Sequence, residues 1–248
     1  MYITCTRTEF AGSLTSGENG YSHFMGLSCH CGTSHSDGWI APRPVPQQRR
    51  EEPPSLEALG VWNQATAATG TVVDTYLASR GITIPAPPTL RYHPSPLGSE
   101  YPAMIAAVVN PREEIAAIHR TFLRHDGLGK APIEAPKKRL GSAPGGSIWL
   151  SVPEEIIVLC EGIEDGLAIK QQTGRCVWVV MGAGNFATAG LPQKPLASRV
   201  ILAIDGDDAG RRGAYNAVER LEDEGREVLI AEPETGGDWN DMIKGHES

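Results

Sequence analysis

The sequence has no apolar run long enough to cross a bilayer, so no membrane span is expected and no membrane partner is implied. The start, Met1-Tyr2-Ile3-Thr4-Cys5, lacks the basic-then-apolar layout of a secretion signal, and a cytoplasmic protein is expected. Cysteine is sparse and odd in number: Cys5, Cys29, Cys31, Cys160 and Cys176. That count, without a signal, argues against a disulfide framework. Cys160 and Cys176 lie in apolar runs and read as buried thiols. An ATPase phosphate loop is also missing. The stretch His125-Asp126-Gly127-Leu128-Gly129-Lys130-Ala131 holds Gly-Lys without the required Gly-x4-Gly-Lys-Ser/Thr spacing. Excess positive charge is absent too. A net charge of −8 excludes tight nucleic-acid binding by the surface as a whole.

The charge is unevenly spread. Residues 154–248 hold 18 acidic and 9 basic residues, whereas residues 111–140 hold 7 basic and 4 acidic. A local basic strip beside an acidic region is compatible with handling a nucleic-acid strand.

Three segments are expected. Residues 1–54 are irregular and rich in Gly, Ser, Thr and Pro, and 41–54, with five prolines, reads as an extended linker. Within them Cys29, Cys31 and His35 form a possible zinc ligand group, although Cys-x-Cys is tighter than the usual pair and no second pair follows. Residues 55–150 read as a smaller α+β domain. Ser55 is placed to cap one helix and Thr71 to start a second. Strands are expected at 90–93, 104–109 and 115–123, the last two joined as a hairpin. Arg120 and Arg124 lie four apart and are expected on one face of that hairpin. Lys137-Lys138-Arg139 adds a compact positive group, read either as a solvated turn or as a phosphate contact. Residues 151–248 alternate strand and helix: strands at 156–160, 176–180, 199–204 and 227–231, helices at about 164–173 and 209–224. That alternation implies right-handed crossovers and a parallel sheet of about four strands.

The acids in this last segment fall just past strand ends. Glu161 follows the first strand, with Glu164 and Asp165 in the next turn. Asp205 and Asp207 follow the third strand, and Asp238 and Asp241 lie three apart further on. Carboxyl ends of parallel strands meet at one sheet edge, where open α/β folds place their sites. Carboxylates gathered there repel one another unless a cation joins them, which points to Mg2+ or Mn2+ and phosphate chemistry. Glu161 suits either metal binding or proton transfer. Acids also favour helix N-termini, and Asp208 and Glu164 fit that simpler role best.

Taken together, Cys160-Glu161-Gly162-Ile163-Glu164-Asp165-Gly166-Leu167-Ala168, Ala203-Ile204-Asp205-Gly206-Asp207-Asp208-Ala209-Gly210-Arg211-Arg212-Gly213 and Gly236-Gly237-Asp238-Trp239-Asn240-Asp241 resemble the Toprim domain. The wording is nearest to the Toprim primases of phages, plasmids and other mobile elements. Upstream, Thr75–Ile82, Leu90-Arg91-Tyr92-His93-Pro94 and Arg120-Thr121-Phe122-Leu123 with Asp126-Gly127 and Gly129-Lys130-Ala131 resemble the domain that precedes Toprim in them. The resemblance spans roughly 55–245. It implies a Rossmann-like α/β catalytic domain, with Glu161 as acid/base residue and Asp205 and Asp207 holding Mg2+. Asp238 and Asp241 would assist, and Asp165 matches an extra acid of the primase branch. It also implies a zinc ribbon at the N-terminus, of which Cys29, Cys31 and His35 resemble only part, and a replicative helicase as partner.

The function implied is Mg2+-dependent synthesis of RNA primers from nucleoside triphosphates on a single-stranded DNA template. Arg120, Lys130, Lys137, Lys138 and Arg139 would hold template or triphosphate. Two other readings stand beside it: a Toprim nuclease using the same carboxylates, and a non-catalytic module that binds nucleotide or nucleic acid.

Overall fold

The computed structural model describes residues 2–5, 21–24, 53–233 and 238–244. Cys29, Cys31 and His35 lie outside them. Residues 1–49 and 50–248 separate as two units. In the first, β1 (Tyr2–Cys5) pairs antiparallel with β2 (Tyr21–Phe24).

The second unit holds two five-stranded sheets. The first sheet is antiparallel and runs in the order β3 (Thr66–Ala67), β4 (Leu90–His93), β5 (Ala103–Val109), β6 (Ile115–Phe122), β7 (Lys137–Leu140). Lys137–Arg139 is therefore an edge strand and not a turn. Two helices accompany it. Ser55 caps α1 (Leu56–Gln64) by accepting a bond from the Ala58 amide at 3.3 Å. Thr71 caps α2 (Val72–Ser79) through the Val73 amide at 3.2 Å. In the β5–β6 hairpin, Asn110 Oδ1 accepts from the amides of Arg112 and Glu114, which closes the turn.

The second sheet runs β12 (Glu227–Ala231), β11 (Arg199–Ala203), β9 (Ile156–Cys160), β10 (Cys176–Val179), β8 (Ile148–Trp149). The four strands expected from the sequence are parallel, and β8 adds a fifth, antiparallel one. Between them run α3 (Ile163–Thr173) and α4 (Asp208–Asp223), with α5 (Trp239–Lys244) near the C-terminus. Strands β9 and β10 are covered on both faces, so they read as continuous apolar runs. Buried Cys160 and Cys176 are free thiols on them.

The two sheets share one core. Met104, Ala106, Val108 and Ala117 of the first pack in the same cluster as Val158, Val177 and Val179 of the second and Leu167, Ala168 and Ile169 of α3. Just before residue 150, β8 joins the second sheet and lays Trp149 flat on Trp178 at 4.2 Å. A second cluster lies on the other face of the parallel sheet, where α4 buries Ala214, Ala217 and Leu221. A third fills the space between α1 and the antiparallel sheet.

Candidate active site

Strand β9 ends on Cys160 and delivers Glu161 to the carboxyl edge of the parallel sheet. Gly162 turns the chain at once into α3. A Cβ there would lie 2.2 Å from Asp165 Oδ2, so the glycine lets that carboxylate fold back against the helix start. Strand β11 and Ile204 deliver Asp205, and Asp207 caps α4, accepting from the Gly210 amide at 2.7 Å. Gly210 is itself constrained: a Cβ there would sit 2.7 Å from the Asp205 carbonyl and 3.2 Å from Glu161 Oε1. Small residues thus draw two helix starts against two strand ends. Asp208 is the first-turn acid of α4, as its place near a helix N-terminus led us to expect, and the cap is its neighbour Asp207.

Glu161 Oε1 and Asp205 Oδ1 are buried and have no hydrogen-bond partner among the described residues. Burial raises the Glu161 pKa, and Asp207 and Asp165 raise it further. Asp205 is pushed up to about 6 by burial and by Glu161, Asp238 and Asp207. Asp165 also reaches about 6, through burial and Asp238, although it accepts a bond from the Asn240 amide at 3.1 Å. Glu161, Asp165, Asp205, Asp207 and Asp238 therefore form one mutually repelling group. Asp241 is exposed on α5, and its amide donates to Asp238 at 2.7 Å.

The donor set suits a hard cation. Among the described residues no three Asp, Glu, His or Cys side chains close into a metal cage. Mg2+ does not need one, since it commonly takes one or two carboxylates and fills the rest with water and phosphate. Two buried carboxylate oxygens without donors, in a cluster raised by its own repulsion, are what such a cation would neutralise.

Across from this edge stands the antiparallel sheet. A cleft of about 320 Å³ is lined by Glu161, Gly162, Ile163 and Met181 on one side and by His119, Lys137 and Arg139 on the other. The strand register explains which basic residues reach it. Arg139 lies opposite His119 and Lys137 opposite Thr121, so these share a face. Arg120 and Lys138 are the pair between them and take the opposite face, towards α1. There the Arg120 guanidinium lies 5.6 Å from the Phe122 ring centre, largely buried. Arg124 lies beyond the strand and pairs with Asp126.

Two residues in the cleft region were given no site role from the sequence. His119 is held neutral, its pKa drawn down to about 4 by burial and by Lys137. Strand alternation alone puts it opposite Arg120, but only the fold says which face meets the cleft. Glu164, expected as a simple first-turn charge, is 3% exposed. It accepts from Tyr76 Oη at 2.5 Å and pairs with Lys137 at 3.2 Å and Lys130 at 3.4 Å. Burial would raise its pKa, but the two lysines and the tyrosine outweigh burial and hold it at about 2.

Residues 156–247 match the Toprim domain family. The chain carries a Toprim domain. Residues 53–150, ahead of it, match a domain of unknown function (DUF7146). No curated protein matches the chain in sequence. Among solved structures, the zinc-binding and RNA polymerase domains of the Aquifex aeolicus primase match with a TM-score of 0.52 at 16% identity, over 76% of this chain and 57% of that one. A DnaG primase catalytic domain bound to ssDNA matches with a TM-score of 0.50 at 15% identity, over 77% and 74%. A DNA primase domain from Pseudomonas aeruginosa matches with a TM-score of 0.49 at 17% identity, over 77% and 74%. At these identities the likeness is one of fold. The chain is thus a Toprim domain behind a mixed α+β segment, in a primase-like arrangement, and no described helix is long and apolar enough to cross a membrane.

Proposed function

We propose that this protein is a Toprim primase: an Mg2+-dependent nucleotidyltransferase that makes short RNA primers on single-stranded DNA. The observation that carries this is a cleft that sets Glu161, one of the repelling carboxylates that include Asp205, against the basic edge of a primase-like antiparallel sheet. A bound Mg2+ would supply charge neutralisation at the reacting phosphate and the departing pyrophosphate. Asp205 and Asp207 would hold it, with Asp165 and Asp238 close by and Asp241 outermost. Glu161, in the lining of the cleft, would take the proton from the attacking 3′-hydroxyl. Arg139 faces the same space and would meet the polyanion. Arg120 and Lys138, on the far face, would serve a strand only outside the cleft. A mobile-element role, a separate helicase partner and a zinc ribbon at Cys29, Cys31 and His35 belong to this reading as well.

The test is nucleotide incorporation by the full chain on single-stranded DNA with Mg2+, with and without an added replicative helicase. Template-dependent oligoribonucleotides are expected. Cleavage of the DNA without nucleotides, abolished by Asp205→Ala, would replace this reading with a Toprim nuclease. Nucleotide binding with neither product would replace it with a non-catalytic module.

A further inference from the structure

Glu164 does not face the metal-type cluster beside it. It ties four segments together: its own helix α3, Tyr76 of α2, Lys130 of the loop after β6, and Lys137 of β7. The loop is seated independently, since Gly127 packs so closely on α2 that a Cβ would lie 2.8 Å from Thr75 Cβ and 2.9 Å from the Val72 carbonyl. Glu164 is thus the buried anion to which the basic strip attaches, in the helical turn that also carries Asp165. Two of the strip's cations are engaged by it. Arg139, exposed on the cleft face of β7, has no ion-pair partner among the described residues.

We propose that Glu164 is a positioning residue that withholds Lys130 and Lys137 from a bound polyanion and so leaves Arg139 as the cation that meets phosphate in the cleft. Its carboxylate stands where a phosphate would otherwise sit, and the two lysines serve to hold the basic edge at a fixed distance from the Toprim carboxylates. This rests on the reading of the cleft as a nucleic-acid site, but on binding alone and not on turnover.

The experiment is binding of a labelled single-stranded oligodeoxynucleotide to the full chain over a range of salt concentrations. Each lysine that neutralises a phosphate adds about 0.7 to the slope of log affinity against log salt. Lys137→Gln and Lys130→Gln are expected to leave the wild-type slope unchanged. Glu164→Gln is expected to steepen it by about 1.4 as both lysines are released, and adding Lys137→Gln to that variant to take back about 0.7. A purely structural role would weaken binding without steepening the slope. The proposal is overturned if either lysine variant alone flattens the wild-type slope, if Glu164→Gln folds without steepening it, or if neither wild type nor Glu164→Gln binds. Should Glu164→Gln fail to melt cooperatively, the single lysine variants decide. A wild type that binds DNA but makes no product defeats the primase reading and leaves this test intact.

Discussion

Replacing Asp205 by Asn should stabilise the metal-free protein. The carboxylate has a buried oxygen with no donor and faces Glu161, Asp238 and Asp207, and its pKa rises from 3.8 to about 6. Each pKa unit is worth about 1.4 kcal/mol, so the ionised group opposes folding by at most about 3 kcal/mol, and solvent screening reduces this to about 1–2 kcal/mol. The sign follows from proton linkage. The folded state binds this proton more tightly than the unfolded chain, so stability falls as pH rises from about 4 to about 6 and stays low above. Asn carries no charge and keeps an acceptor, so the variant loses that fall. For a chain of this size, about 1–2 kcal/mol corresponds to roughly 2–8 °C in Tm. Calorimetry with a chelator at pH 8 should show the variant melting higher by that amount, with the difference shrinking towards zero near pH 4. A variant that melts lower at pH 8, or a gain that does not depend on pH, would refute the argument that the cluster repels itself.

Further outcomes follow from the same cluster and its supports. Mg2+ should raise the wild-type Tm more at pH 8 than at pH 5, because Asp205 and Asp165, at about 6, are protonated at the lower pH and compete with the ion; a thermal shift series checks this. Glu164 behaves in the opposite sense: held at about 2, it contributes stability that is present above its ordinary 4.5 and lost as pH falls towards 2. Acid titration of Glu164→Gln should lack that part of the unfolding curve. Tyr76→Phe, which removes the 2.5 Å bond to the same carboxylate, should cost about 1.5–3 kcal/mol in denaturant melts. Gly210→Ala should cost about 1–3 kcal/mol, because its Cβ would meet the Asp205 carbonyl at 2.7 Å and backbone must shift.

Much of the parallel sheet was legible because its central strands β9 and β10 are buried on both faces and so stand out as apolar runs between helical patterns. Strand β8 was not, since a two-residue strand has no period to read. The acid cluster was legible by position: Glu161 and Asp205 follow directly on strand ends, and Asp165 and Asp207 sit where the next helix starts. Individual roles were not: Asp207 and Asp208 differ by one residue, and the Gly210 amide decides which of them caps α4. The basic strip shows the same limit. Lys137, Lys138 and Arg139 are alike in sequence, but an edge strand sends alternate residues to opposite faces, which parts Lys138 and Arg120 from the cleft. Glu164 looked like an ordinary first-turn charge because its partners Tyr76, Lys130 and Lys137 lie 27 to 88 residues away.

The central claim, that the carboxylate edge performs nucleotidyl transfer, is tested most directly by the single-turnover rate of nucleotide incorporation in Glu161→Gln beside Lys138→Gln. A proton-transfer residue contributes about 100-fold or more. Incorporation by Glu161→Gln should therefore fall at least that far with its melting transition intact, while Lys138→Gln stays within a few-fold of wild type. Template-dependent product formed by Glu161→Gln at close to the wild-type rate would contradict the account.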